Sequence, residues 1–243
     1  MILIGPHGGP WNRNRKWEER ICWIFLDILG PIMIGPSSSH TAGAVRIGRM
    51  ARTLLGEKPV KADIGLYGSF AETGRGHGTD RALVAGVLGM RPDDLRIPQS
   101  FELAKEEGLD FYIHPIQLRE AHPNTVVLKL RRADGNELML QAASVGGGRI
   151  RVDKLNGVEV QFTGDLNTLV VQHQDVAGKV ADETRELSNA GINIATMSLW
   201  RDRRGGDALI VIETDQKVSE AVRQKILDLP DVKRLTYYEK EED

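Results

Sequence analysis

A chain of 243 residues with 41% hydrophobic and 27% charged residues can bury one large core or two modest ones. Its 32 basic and 34 acidic residues are interleaved and leave a net charge of -2, so no extended basic face is offered to nucleic acid or to a membrane surface. No apolar run approaches the roughly 20 residues of a spanning helix and no secretory leader pattern opens the chain, which reads as cytoplasmic. The single cysteine, Cys22, excludes an intramolecular disulfide and a thiolate cage for zinc or an iron–sulfur cluster within this chain; in the apolar run Ile21-Cys22-Trp23-Ile24-Phe25 it reads as a small buried hydrophobe.

Residues 1–23 combine Gly-Pro pairs, three tryptophans and a cluster of charges without helical or strand periodicity, and read as a disordered tail or a mis-assigned start. From there, residues 24–155 read as a mixed α/β domain. Val45, Ile47, Met50, Ala51, Leu54 and Leu55 recur at helical spacing against Arg46, Arg49 and Arg52 and predict a helix over about 41–55. A strand follows over 62–67, then a glycine-rich loop over 68–78, a helix starting at Thr79-Asp80 and another within 100–107. Val126, Leu128 and Leu130 alternate with polar neighbours, Leu138, Leu140 and Ala142 alternate on the way back, and Asp134-Gly135 between them marks a hairpin. The last third, 165–240, has the order βαββαβ of a ferredoxin-like sandwich: strand 168–173, helix 176–190, strands 194–201 and 208–214, helix 218–229, strand 232–238.

The densest polar cluster is Gly35-Pro36-Ser37-Ser38-Ser39-His40-Thr41-Ala42-Gly43, four hydroxyls and an imidazole at the mouth of a helix. Backbone N–H groups at a helix N-terminus, helped by hydroxyls, attract a carboxylate or phosphate, and His40 beside that anion can exchange a proton. One helix cap uses one hydroxyl, so four argue for a site rather than a cap alone. A second cluster, Gly68-Ser69 and Glu72-Thr73-Gly74-Arg75-Gly76-His77-Gly78-Thr79-Asp80, also runs from strand to helix, without the spacing of a nucleotide loop. His122-Pro123-Asn124-Thr125 and Ser144-Val145-Gly146-Gly147-Gly148 flank the hairpin, and antiparallel pairing brings His122 and Asn124 to the end where Ser144, Gly146 and Gly147 emerge. Each motif alone reads as a turn; together they predict convergence of three histidines. Their spacing matches no zinc pattern. In the last third, Asp175, Ala177 and Gly178 link strand to helix and Asn193 follows that helix, which suits an amino-acid ligand or, nearly as well, a dimerising module.

These four motifs, in this order, resemble the β chain of iron–sulfur L-serine dehydratases, and 168–240 resembles an ACT domain, the regulatory βαββαβ module; the resemblance covers about 24–240. It implies an α-chain partner whose cysteines hold a [4Fe–4S] cluster, β-elimination of L-serine to pyruvate and ammonia, no pyridoxal phosphate, and homodimerisation through the ACT domain. By the resemblance, Ser37, Ser38, Ser39 and Thr41 hold the substrate carboxylate, His40 leads as acid or base, and His77, His122 and Asn124 orient substrate. A kinship with the allosteric substrate-binding domain of some phosphoglycerate dehydrogenases supports the rival reading, a regulatory amino-acid-binding module with no catalytic role.

Overall fold

The computed structural model describes residues 33–240, apart from the side chain of Arg75. The readings of Cys22 and of the first 23 residues lie outside them. Among the described residues the chain is mixed α/β with two sheets.

A short π-helical segment, Ser38–Ala42, opens into α1, Gly43–Leu55. Val45, Ile47, Met50, Leu54 and Leu55 line the fully buried side of α1, each contributing about 1.5–3 kcal/mol by leaving water. Gly56, left-handed at φ 90, ends the helix by donating to the Arg52 and Thr53 carbonyls, a turn that side chains with a Cβ resist. Strand β1, Pro59–Leu66, leads to helix α2, Ser69–His77, and helix α3, Thr79–Val87. After helix α4, Ser100–Glu106, come β2, Asp110–Pro115; β3, Thr125–Arg132; β4, Glu137–Gly146; β5, Arg149–Leu155; and β6, Val158–Phe162.

These six strands form one sheet in the order β2-β1-β3-β4-β5-β6, with β1 and β2 parallel and the other neighbours antiparallel. The register Arg131↔Glu137 through Val126↔Ala142 matches the expected hairpin, and Val126, Leu128, Leu130, Leu138, Leu140 and Ala142 all point inward. Helices α1 and α3 meet at two glycines: a Cβ on Gly86 would stand 2.1 Å from the Val45 carbonyl oxygen, and one on Gly48 would stand 2.5 Å from that of Leu83.

The second sheet is built from β7, Asn167–Gln174; β8, Ile194–Arg201; β9, Asp207–Thr214; and β10, Val232–Tyr238, in the order β10-β7-β9-β8. Helices α5, Lys179–Asn189, and α6, Glu220–Leu227, complete the βαββαβ order. Leu169, Val171, Ile210 and Ile212 form one small core with Leu187 and Ile226 of the two helices, whereas Val170, Val211 and Tyr238 join the larger core around α1. Arg234 of β10 donates to the Leu54 and Leu55 carbonyls, each at 2.8 Å, and so ties the second sheet to the end of α1.

Several elements differ from the sequence reading. The stretch expected as a loop over 68–78 is mostly helix α2: buried Phe70 anchors it, and its strain is taken up outside, by Gly68 and Gly78 at positive φ. Strands β2, β5 and β6 stand where no strand was expected; Asn156 and Gly157, both at positive φ, make the tight β5–β6 turn. Helix α5 starts at Lys179 rather than 176, and its buried positions are Lys179, Glu183 and Leu187, while apolar Val176 and Ala181 are exposed.

Candidate active site

The chain emerges from Gly35, whose φ of +144 and closeness to Thr41 leave no room for a side chain: a Cβ there would lie 2.5 Å from the threonine methyl. Ser37 then caps the π-helical segment, its hydroxyl accepting from the His40 N–H at 3.2 Å while its carbonyl accepts from the Thr41 N–H at 2.8 Å. Capping therefore explains one of the four hydroxyls. The π turn rotates His40 toward α2, and single π turns of this kind recur at functional sites.

His40 is the hub. On one side its Nδ1 lies 3.2 Å from the Ser39 hydroxyl and 3.4 Å from that of Ser37. On the other, its Nε2 lies 3.2 Å from the Ser69 hydroxyl and 3.1 Å from that of Thr73. A hydroxyl either donates or accepts, so both ring tautomers are satisfied and a proton can be taken at one nitrogen and released at the other. The edge of the ring meets Phe70 at 5.3 Å between centroids, and the ring of His77 lies 5.0 Å away. Burial, then the neighbouring His77, push the His40 pKa below that of a free imidazole, against the Ser69 hydrogen bond, which raises it. His40 is thereby a neutral imidazole at neutral pH, the form that accepts a proton.

His77 donates from Nδ1 to the Thr73 carbonyl at 3.2 Å on this exposed rim. Thr41 reaches the His77 carbonyl at 3.4 Å. Ser38 lies in the π turn, half-buried, its carbonyl accepting from the Gly43 N–H.

The two motifs that flank the hairpin arrive at the same end of the sheet. Gly68 packs directly on the 122–124 turn, where a Cβ would meet the Pro123 carbonyl oxygen at 2.6 Å. Within that turn His122 Nδ1 accepts from the Asn124 N–H at 3.1 Å, and the Asn124 carbonyl accepts from the Ser144 N–H at 3.0 Å. Ser144 in turn lies against Gly43, the first residue of α1, where a Cβ would stand 2.1 Å from its hydroxyl. Beyond it Gly146 and Gly147, at φ 101 and 62, turn into β5, and Arg46 of α1 holds this turn through the Gly148 carbonyl at 3.2 Å. The hydroxyls of Thr79, Thr125 and Ser144 are buried without a hydrogen-bond partner, three orphaned groups from three segments of one rim.

His40 and His77 are in contact, while His122 spends its Nδ1 within its own turn. Sequence reasoning missed Ser69 and Thr73 as the Nε2 partners of His40. Their spacing of four residues puts them on one helix face, but three glycines nearby made the stretch read as loop.

In the second sheet the predicted ligand residues separate. The Asp175 carboxylate accepts from Arg201 at 2.9 Å and from the Gly205 N–H at 3.1 Å, at the end of β7. Ala177 and exposed Gly178, at φ 94, carry the chain from there into α5. Asn193 stands at the other end of the sheet, where its side chain donates to Asp215 at 2.6 Å and its N–H to Gln216 at 2.7 Å. The register explains it: Gln174 pairs with Asp207 at one end of β9, Ile194 with Thr214 at the other.

Among the described residues no group of three or more His, Cys, Asp or Glu is arranged to hold a metal ion, and no helix is long and apolar enough to cross a membrane.

Comparison with known proteins agrees with this architecture. The family model described as serine dehydratase beta chain matches residues 25–107, and that of the ACT domain matches residues 167–231. A probable L-serine dehydratase β chain of Bacillus subtilis is 40% identical over 87% of this chain and 96% of its own length. The L-serine dehydratase β chain of Peptoniphilus asaccharolyticus is 36% identical over 83% of this chain and 91% of its own length. An L-serine dehydratase of Streptomyces coelicolor is 33% identical over 70% of this chain but only 43% of its own length. With four motifs gathered on one rim, an ACT module behind them and relatives matched over nearly their whole length, the chain belongs to the family of L-serine dehydratase β chains.

Proposed function

We propose that this chain is the β half of a two-chain, cytoplasmic L-serine dehydratase, a carbon–nitrogen lyase that converts L-serine to pyruvate and ammonia with an α-chain partner. The observation that carries the reading is the environment of His40: an imidazole at the mouth of α1 with its pKa lowered, both nitrogens in hydroxyl bonds and, among the described residues, no carboxylate bonded to either nitrogen. A base for an α-proton needs this poise. The Streptomyces relative, more than twice the length matched here, supports a missing second half supplied by another chain.

In this reading the α-amino acid lies on the rim with its carboxylate toward Ser37, Ser38, Ser39 and Thr41. His40 takes the α-proton, the freed electron pair forms the Cα–Cβ double bond, and the β-hydroxyl leaves as hydroxide, which regains that proton from His40 and is released as water. The resulting aminoacrylate hydrolyses to pyruvate and ammonia. Ser69 and Thr73 orient the ring by hydrogen bonds at its Nε2, and the neighbouring His77 adds to the lowering of the His40 pKa. His122 and Asn124 position the turn that backs Gly68, with Ser144, Gly146 and Gly147 closing the rim.

Hydroxide leaves poorly, so the reaction calls for a Lewis acid, which we assign to a [4Fe–4S] cluster of the α chain. One cysteine does not fit a cluster on this chain, and every step above uses its own side chains. The ACT sheet ends in the edge strand β8, which exposes Met197 at 43% and Leu199 at 46%, and this supports pairing of two ACT modules with an amino acid as regulator.

The test is anaerobic co-purification with the tagged natural α chain, followed by iron analysis and pyruvate formation from L-serine. An iron-bearing complex that makes pyruvate, and loses turnover but keeps assembly with His40→Gln, is expected. A chain that binds L-serine without any α partner and without turnover would instead support a purely regulatory module.

A further inference from the structure

A cavity of about 500 Å³ opens where the C-terminal half of α1 faces β10 and α6, far along α1 from His40. Arg49 and Arg52 of α1, Lys58 and Arg223 of α6 line it, with Thr236 and Tyr237 of β10 supplying hydroxyls. Glu57 is the carboxylate among these lining residues and is held by Arg132 at 2.6 Å, while Lys58 pairs with Glu107 at 2.8 Å. Arg52 donates to a neutral group, the Val87 carbonyl, at 3.1 Å. Arg223 lies over the Tyr237 ring at 4.7 Å and pairs with Glu220, yet its Nε is buried without a hydrogen bond.

The plain explanation for arginines at this place is that they offset the negative end of the α1 dipole. Other groups already do so: Arg234 covers the Leu54 and Leu55 carbonyls, and the Gly56 N–H covers those of Arg52 and Thr53. The cavity also has the size of small-molecule sites, roughly 300–1,000 Å³.

We propose that this cavity binds a small anion with two or more negative charges, of the phosphate or dicarboxylate kind, clamped between α1 and the α6–β10 side of the second sheet. Guanidinium forks match the paired oxygens of both groups. Because α1 also carries the His40 turn, the anion bridges the ACT module to the helix of the candidate active site. The site stands independently of the reaction assigned to that rim.

Calorimetric titration of the full-length chain with inorganic phosphate and, separately, with malonate tests this, with sodium chloride holding ionic strength constant. One saturable site per chain is expected for at least one of the two probes; the probe that binds tells a tetrahedral anion from a dicarboxylate. The double variant Arg49→Gln/Arg223→Gln is expected to weaken that binding by about tenfold or more, as the loss of charged hydrogen bonds implies. Thr53→Glu keeps every arginine, places a carboxylate in the cavity and is expected to do the same, which guards against a double variant that fails to fold. Heat no different from the chloride control for both probes, or unchanged binding by Thr53→Glu with a wild-type circular dichroism spectrum, would overturn the proposal.

Discussion

Replacing Gly86 by alanine is expected to destabilise the protein although alanine is the better helix former. Built on the backbone, the new Cβ stands 2.1 Å from the Val45 carbonyl oxygen and 2.9 Å from the Gly48 Cα, both main-chain atoms of α1 that no rotamer change can move aside. Carbon and oxygen settle no closer than about 3.3 Å, so α1 and α3 must part by about 1 Å. A separation of that size forfeits a quarter to a half of the dispersion contact across the interface, and overpacking of this kind costs up to about 3 kcal/mol. Helix propensity returns about 1 kcal/mol. The net loss is about 2 kcal/mol, or a fall in Tm of about 4–8 °C for a chain of this length. Gly76→Ala is the control: it lies in α2 with nothing within 4 Å of its Cβ, and should raise Tm by about 2–4 °C. Differential scanning calorimetry on the three chains reads both numbers. A Gly86→Ala chain that melts at or above the wild type would refute the contact argument, because propensity alone would then decide. The same displacement moves the His40 turn at the head of α1 away from Ser69 and Thr73, so the stability loss should be accompanied by a changed His40 resonance.

Proton NMR titration of His40 should give a pKa below that of a free imidazole, and His77→Gln should raise it by removing the neighbouring charge; an unchanged value would show that burial alone lowers it. The sign for stability follows: the unfolded chain takes up a proton on this residue before the folded chain does, so folding loses stability as pH falls from neutral into the folded pKa. Denaturant midpoints at pH 7.5 and 5.5 should therefore differ less in His40→Gln than in the wild type. Glu183 and His173 form a fully buried pair at 2.5 Å, and Glu183→Leu, by orphaning His173, should cost at least about 1–3 kcal/mol in urea unfolding; a neutral effect would mean the pair is not formed in solution. The Gly205 N–H, then Arg201, hold the Asp175 carboxyl below its ordinary value, so its stabilisation is present at neutral pH and lost on acidification. Asp175→Asn should accordingly lower the midpoint at pH 7, by an amount that shrinks as the pH falls below the ordinary aspartate range.

Periodicity carried much of the architecture. Alternation in 125–131 and 138–142, with Asp134-Gly135 between, determines the β3–β4 hairpin and its register, because a slip by one residue would turn Leu128 and Leu140 to water. The α1 stripe and the βαββαβ rhythm were legible for the same reason: burial on one face imposes a period on the chain. The candidate site was legible as four polar, glycine-bearing motifs, since hydrophobic burial has no use for them. What tertiary structure alone decided is whatever depends on a neighbour distant in sequence. Ser69 and Thr73 became partners of His40 only because buried Phe70 draws a glycine-rich stretch into a helix. Lys179 and Glu183 face inward on α5 because the Pro230 carbonyl and His173 await them, so polarity misled where a buried partner exists. Asp175 and Asn193, near in sequence and alike in promise, fall at opposite ends of one sheet because β7 and β8 both run antiparallel to β9, a relation of strands that no local pattern encodes.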